Sequence, residues 1–260
     1  MLPTPDTSHV PYERVYEPAE DSFLLLDTLS SSSETQFLHD TFSSPKPTIP
    51  FVVELGTGSG VVLAFITAHA KTLFGTSQIL TAGVDMNAFA CRATITTVAK
   101  AQADAAAESN SNSSETTHGL YLGSVMGDLA APLRSHSVDV LVFNPPYVPT
   151  SEMPSRPETF REDFSPKTTF DDDSYLLALS YAGGADGMET TDRLIDGLPE
   201  ILSPRGCAYV LLCAQNKPEL VKERIRAWGG GWRAETVGSS GKTAGWEKLQ
   251  IVRIWRDTAP

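Results

Sequence analysis

The sequence predicts a three-layer α/β sandwich, and three observations predict it. Short apolar runs that read as buried strands alternate with stretches of helical apolar period, which is the pattern of parallel βα units. The segment "FVVELGTGSGVVLAFITAHA" from Phe51 passes from an apolar run through a glycine-rich turn into a helix. The chain closes on "WRAETVGSS" and "KLQIVRIWR", two strand-like runs that form a hairpin-like pair. Five βα-type units and two final strands in 260 residues, with 41% hydrophobic content, suit one large domain over residues 16–260.

Residues 1–15 are polar and carry Pro3, Pro5 and Pro11, so they are expected to be a flexible tail. "EPAEDSFLLLDTL" reads as a helix with Glu20 and Asp21 at its amino end and Phe23, Leu24, Leu26 and Leu29 on one side. A Ser- and Pro-rich connector is expected over 30–50. After the glycine-turn unit, "ILTAGVDMN" repeats strand and turn, and "AFACRATITTVAKAQADAAA" supplies its helix. Residues 103–118 are low in complexity and read as a mobile polar loop, with "GLYLGSV" as the third strand. "VDVLVF" is the fourth strand. Residues 148–174, with Pro149, Pro154, Pro157, Pro166 and Asp171 to Asp173, read as a long active-site loop. "METTDRLIDGLPEIL" is helical up to Pro204, "GCAYVLLCA" is the fifth strand, and "KPELVKERIRAWGG" is a helix stopped by glycines.

Composition narrows the function classes. Twenty basic against thirty-two acidic residues give a formal net charge of -12, and the pI is near 4.8. That sign disfavours a protein whose affinity comes from neutralising phosphates, so nucleic acid is not the expected partner. The three cysteines, Cys91, Cys207 and Cys213, form no C-x-x-C pair and suit a reducing compartment. The five scattered histidines offer no metal-ligand spacing, and no metal is expected. With neither a signal-peptide pattern nor a bilayer-length apolar run, the chain is expected to be soluble and cytoplasmic, with the nucleus also open to it and no membrane partner.

Three acidic residues at successive strand ends outline a ligand. Glu54, Gly56, Thr57, Gly58 and Gly60 make a turn of G-x-G-x-G spacing, neither a dinucleotide fingerprint nor a P-loop. Glu54 places a carboxylate where a pyrophosphate would be repelled. Asp85 can accept from two ribose hydroxyls, and Asp128 in "GDL" from the exocyclic amine of a base. Each has a plainer reading as a tight turn, an N-cap or a turn aspartate. Together they describe an adenosine pocket with no phosphate cradle, which fits S-adenosylmethionine.

"LVFNPPYVPT" supplies the chemistry. Proline has no N–H for a ladder and holds the preceding residue extended, so the fourth strand must end at Asn144 in a stiff elbow. An amide or aromatic amine nitrogen is a poor nucleophile because its lone pair is delocalised. The Asn144 side-chain carbonyl and the Pro145 backbone carbonyl can accept both N–H bonds of a planar –NH2, strengthening as charge develops during attack on a sulfonium methyl. Pro145 and Pro146 hold these acceptors, and the Tyr147 ring can pack on the flat face of the substrate group. The plainer reading is a proline-terminated strand of structural use only.

The pieces "YEPAEDSFLLLDTL", "ELGTGSGVV", "VDMN", "GDL", "VFNPPYV", "YAGGADGMETTDRL", "SPRG" and the last hairpin, in order over residues 16–255, resemble the eukaryotic branch of the HemK-like protein N5-glutamine methyltransferases. The resemblance implies a Rossmann-like class I methyltransferase fold with a seven-stranded mixed sheet and helices on both faces. It implies methylation of the glutamine in the Gly-Gly-Gln motif of the class I translation termination factor. By motif position Ser22, Glu54, Gly56, Asp85, Asp128 and Leu129, with Thr57 and Gly58 of the loop, would contact S-adenosylmethionine. Asn144, Pro145, Pro146 and Tyr147 would hold the glutamine amide. The family works as a heterodimer with a small zinc-binding activator subunit. Loops 103–118 and 148–174 look longer than the common pattern. An exposed third strand with Leu120, Tyr121, Leu122 and Val125 at the sheet edge would give the activator its seat. The alternatives are an N6-adenine DNA methyltransferase, a protein lysine methyltransferase, and a binding module that kept the fold without the chemistry.

Overall fold

The computed structural model describes residues 2–42, 48–108, 117–158, 160, 169–241 and 248–257. Seven strands, β1 (Phe51–Leu55), β2 (Leu80–Asp85), β3 (Leu120–Met126), β4 (Val138–Phe143), β5 (Leu202–Cys213), β6 (Trp232–Ser239) and β7 (Leu249–Arg256), form one sheet. Their order is β3-β2-β1-β4-β5-β7-β6. The first five run parallel, and β7 is antiparallel to both β5 and β6. The mixed sheet is the one the sequence predicts.

The period-2 alternation of the central strands divides the core. Val52, Val140, Val142 and Tyr209 pack against α1 (Glu20–Leu29), α2 (Ser32–Phe42), α3 (Val61–Ala68) and α4 (Ala70–Phe74). Val53, Leu55, Leu141, Phe143 and Val210 face the other way, onto α7 (Glu189–Ile201) and α8 (Pro218–Arg226). A sheet covered on both sides reads as continuous apolar runs, and all six residues of β4 are buried. The long helix α5 (Ala88–Glu108) joins α3 through Ala64, Ala68, Val98 and Ala101. That contact requires a glycine at position 60. A Cβ there would lie 2.5 Å from Thr94 Cα, and φ is +79°.

Several boundaries differ from expectation. Residues 2–15, expected to be a tail outside the domain, form turns with no helix or strand and pack against α5. Val10 and Val15 are buried with Ala90 and Ala93 of α5, Tyr12 Oη donates to Thr7 O, and Lys100 pairs with Asp6. Three apolar side chains suffice when a long helix offers them a patch. The 30–50 connector contains α2, which its serines disguise: Leu38 and Phe42 are buried, and Glu34 is 2% exposed. In α1 the buried face is Ser22, Leu25, Leu26 and Leu29, while Phe23 stays exposed. α5 continues through 103–108, which were expected to open the 103–118 loop; 109–116 lie outside the described residues. Of the 148–174 loop, 159 and 161–168 lie outside them, and α6 (Phe170–Tyr181) starts before the loop was expected to end, behind a Thr169–Asp172 capping box. β5 begins at Leu202 and includes Pro204.

α2 is tied to the sheet by charge as well as apolar area. Glu34 Oε2 accepts from Arg253 Nη1 at 2.7 Å and from Tyr209 Oη at 2.9 Å. The Arg253 guanidinium lies 3.7 Å from the Phe37 ring centroid and 4.5 Å from that of Trp255. Removing one partner of a buried pair strands the other charge. Arg253→Ala is therefore expected to lower unfolding stability in urea by about 3–5 kcal/mol, with Glu34→Gln/Arg253→Leu recovering most of it. A loss below about 1 kcal/mol for the single variant would show that apolar area alone docks α2.

Candidate active site

Strand order reverses between β1 and β4: the chain crosses to β2 on one side of β1 and to β5 on the other side of β4. The loops leaving the carboxyl ends of β1 and β4 therefore diverge and open a crevice, where open α/β sheets bind ligands. A cavity of about 250 Å³ lies there. Its wall contains every residue nominated for the cofactor: Ser22, Glu54, Gly56, Thr57, Gly58, Asp85, Asp128 and Leu129. Asn144 and Pro146 share it. Pro145 and Tyr147 do not line it.

The glycine loop is built by local geometry. Gly56 and Gly58 have φ of +62° and +51°, which a β-carbon disfavours. Gly56 N donates to Val84 O at 2.8 Å, and Gly58 N to Asp85 Oδ2 at 3.0 Å. Asp85 Oδ1 accepts from Asn87 N at 2.8 Å. Asp85 thus ties the β1 and β2 turns together. Glu54 is 2% exposed, and its Oε2 caps α3 through Leu63 N at 3.0 Å.

The two carboxylates share one wall, and burial perturbs both. Burial pushes the Glu54 carboxyl well above its ordinary range against the Leu63 N–H, which pulls it down, and the Asp85 charge adds to the rise. Burial likewise raises Asp85, opposed by the N–H groups of Asn87 and Gly58 and by Thr57. Such a pair is relieved by a cation, and S-adenosylmethionine carries an ammonium and a sulfonium. The donor set fits it: glycine backbone open to close approach, acidic acceptors, and no phosphate cradle. Asp128, expected to receive the exocyclic amine, is held by Arg193 Nη2 at 2.6 Å through Oδ2, and Leu129 beside it takes φ +49°.

Asn144 Oδ1 is buried and has no hydrogen-bond partner among the described residues. An unsatisfied acceptor on a cavity wall is costly unless a ligand donates to it. Tyr147, expected to face the substrate group, instead turns toward the core. Its ring packs on the α1–α4 side, and its Oη lies 3.5 Å from Asp21 Oδ2. A partly buried phenol that must place its O–H on an acceptor points to that acceptor. Asp21, 3% exposed, also receives Tyr16 Oη at 3.0 Å, so α1, the 10–16 segment and the elbow meet on one carboxylate.

The sequence reading missed part of this wall. Val15 comes from the expected tail, and Tyr16, the first residue after it, has its Cβ 3.9 Å from where a Gly58 Cβ would sit. Asn87 lines the cavity and donates through Nδ2 to Arg14 O at 2.7 Å, pinning that segment. Met86, Tyr175, Leu179 and Arg193 complete it from α5's approach, α6 and α7. Tyr16 sits inside the quoted "YEPAED" stretch, which was the available signal.

The comparisons with known proteins agree with this geometry. No protein-family model matches the chain. It is 31% identical to the "eRF1 methyltransferase catalytic subunit mtq2" of Schizosaccharomyces pombe, over 98% of this chain and 96% of that protein. It is 29% identical to "Methyltransferase HEMK2" of Homo sapiens, over 96% and 95% of the two chains. Among solved structures it resembles a chain of the E. cuniculi Mtq2–Trm112 complex described as responsible for methylation of the eRF1 translation termination factor. The TM-score there is 0.54 at 22% identity, covering 94% of this chain and 99% of that one, and supports the fold. A glycine loop and acidic wall suited to S-adenosylmethionine, an Asn-Pro-Pro-Tyr elbow beside them and full-length similarity converge: the chain belongs to the Mtq2/HEMK2 family of S-adenosylmethionine-dependent protein methyltransferases.

Proposed function

We propose that this protein transfers a methyl group from S-adenosylmethionine to the side-chain nitrogen of the glutamine in the Gly-Gly-Gln motif of the class I translation termination factor, in the cytoplasm. The single observation that carries this reading is the buried, partnerless Oδ1 of Asn144 on the cavity wall. S-adenosylmethionine supplies the electrophilic methyl. Asn144 Oδ1 accepts one N–H of the glutamine amide, and the adjoining Pro145–Pro146 backbone supplies the second acceptor. Holding both hydrogens draws the nitrogen toward tetrahedral geometry and stabilises the positive charge that develops as the N–CH3 bond forms and the S–CH3 bond breaks; S-adenosylhomocysteine would leave as the neutral thioether, and the surplus N–H proton would pass to solvent. Glu54 and Asp85 hold the cofactor's cationic and hydroxyl groups and fix its methyl near the amide.

The reading includes an activator subunit, seated on the β3 edge. Among the described residues β3 pairs only with β2, and Leu120, Leu122 and Val125 are 60%, 56% and 50% exposed. Unpaired ladder groups beside exposed aliphatic side chains favour a partner that adds both backbone bonds and apolar cover.

Labelled S-adenosylmethionine, offered with activator to the release factor, its Gly-Gly-Ala variant and duplex DNA, is expected to label only the intact factor. Label on DNA, or on both protein variants equally, overturns the glutamine assignment. In the same assay Asn144→Ala is expected to lower transfer at least about 100-fold with cofactor affinity within a few-fold. Asp85→Ala is expected to weaken cofactor binding first. Equal loss of cofactor in both would merge the two roles.

The raised carboxyls give a pH signature. Between the ordinary carboxylate pKa and the raised folded value the folded protein binds more protons than the unfolded chain, so the unliganded fold loses stability as pH rises through that window. A cationic ligand prefers both groups ionised and displaces their protons, so its affinity climbs with pH across the same window. Calorimetry from about pH 5 to about pH 8 should show tightening cofactor binding, with a flatter profile in Glu54→Gln. A flat wild-type profile would remove Glu54 from the cation's surroundings.

For the edge, Leu122→Lys with Val125→Lys is expected to abolish co-purification with the activator while leaving the thermal midpoint of the isolated chain within a few degrees. Retained co-purification moves the interface elsewhere.

A further inference from the structure

We infer that Asn216, beyond the end of β5, is a positioning residue for methyl transfer, holding the Asn144–Tyr147 elbow in register with the cavity. It is 2% exposed and lies outside the cavity wall. Its Nδ2 faces three backbone carbonyls: Asp186 at 3.0 Å, Tyr147 at 3.1 Å and Gly187 at 3.4 Å. Its Oδ1 accepts Cys213 N at 2.8 Å. Only one orientation of the amide satisfies that set, so the donor side must face the elbow. One side chain therefore joins the end of β5, the 183–187 turn and the chain immediately after the two prolines.

The neighbouring turn is shaped for this contact. Gly184, Asp186 and Gly187 have φ of +68°, +54° and +69°. A Cβ on Gly187 would fall 2.1 Å from Tyr147 O, and one on Gly183 would fall 2.3 Å from Pro146 O. The turn thus lies flat against the elbow's carbonyls. On its far side Val148 N donates to Tyr181 O at 2.9 Å, and Gly183 N to Val148 O at 2.8 Å. Neither Pro145 nor Pro146 has an N–H with which to fix its own position. Orientation of the Asn144 acceptor is thereby delegated to the residues that follow it, and Asn216 grips them beside a longer contact of Cys213 Sγ with Tyr147 O at 4.0 Å. Displacing acceptors by about 1 Å costs transfer rate on the order of 100-fold while leaving cofactor groups on β1 and β2 untouched.

The inference rests on the glutamine-transfer reading, and the test separates the two. Asn216→Ala removes all four contacts. Asn216→Asp keeps the acceptor for Cys213 N and turns the donor side into an anion facing carbonyls, one that regains a donor when protonated. Both variants and the unsubstituted enzyme, each with activator, are assayed on release factor and titrated with S-adenosylmethionine by calorimetry. Expected is a kcat lowered about 100-fold in Asn216→Ala, with cofactor Kd within about threefold. The deficit of Asn216→Asp should narrow as pH falls from about 8 to about 6. Hydrogen exchange, which needs no substrate, is expected to quicken in peptides spanning 146–150 and to stay unchanged in 54–60. Unlabelled release factor with the unsubstituted enzyme would sink the substrate reading, while exchange still decides the role of Asn216. Retained kcat and exchange, parallel loss of cofactor affinity, or failure of Asn216→Asp to fold would each overturn the positioning role.

Discussion

The site depends on one covalent constraint: two consecutive prolines cannot extend a ladder. β4 is buried along its whole length, and a buried strand that ran on would need partners for every N–H. Stopping it with Asn144, Pro145 and Pro146 places the first side chain beyond the strand on the crevice where β1 and β4 part. The glycine loop opens the other side of the same crevice. Cofactor and acceptor are brought together because adjacent parallel strands end side by side, with Leu55 paired to Phe143.

Two kinds of cost are concentrated there. The protein holds Glu54 and Asp85 in one cavity wall, and it leaves the Asn144 side-chain carbonyl without a hydrogen bond among the described residues. In a packed core either would count as a defect. In the function proposed above each would be relieved by a different ligand, the first by positive charge and the second by an N–H donor. The chemistry is written in what the fold leaves unsatisfied, while away from the crevice the buried charge of Glu34 is matched twice over.

The strands and the heart of the site were legible because their signals are local. Period-2 apolar runs, glycine at G-x-G-x-G spacing and Asn before two prolines each constrain the backbone where they stand. What stayed hidden acts over long separations. α2 looks like a serine linker until Arg253, 219 positions away, supplies a partner for Glu34. Tyr16 and Asn87 join the wall through contacts that no window of sequence contains, such as Asn87 with Arg14, 73 residues apart. Tyr147 was assigned by its neighbourhood in sequence, whereas its ring obeys Asp21.

The docked segment 10–16 has a mechanical consequence. It owns no helix or strand and is held by Asn87, by α5 and by an Arg14–Asp173 pair reaching α6. Its Tyr16 covers the glycine loop. One wall of the cavity, Val15 and Tyr16, is thus carried by a stretch with no ladder of its own, whose place is set by side chains of α1, α5 and α6 together and by the Asn87 amide.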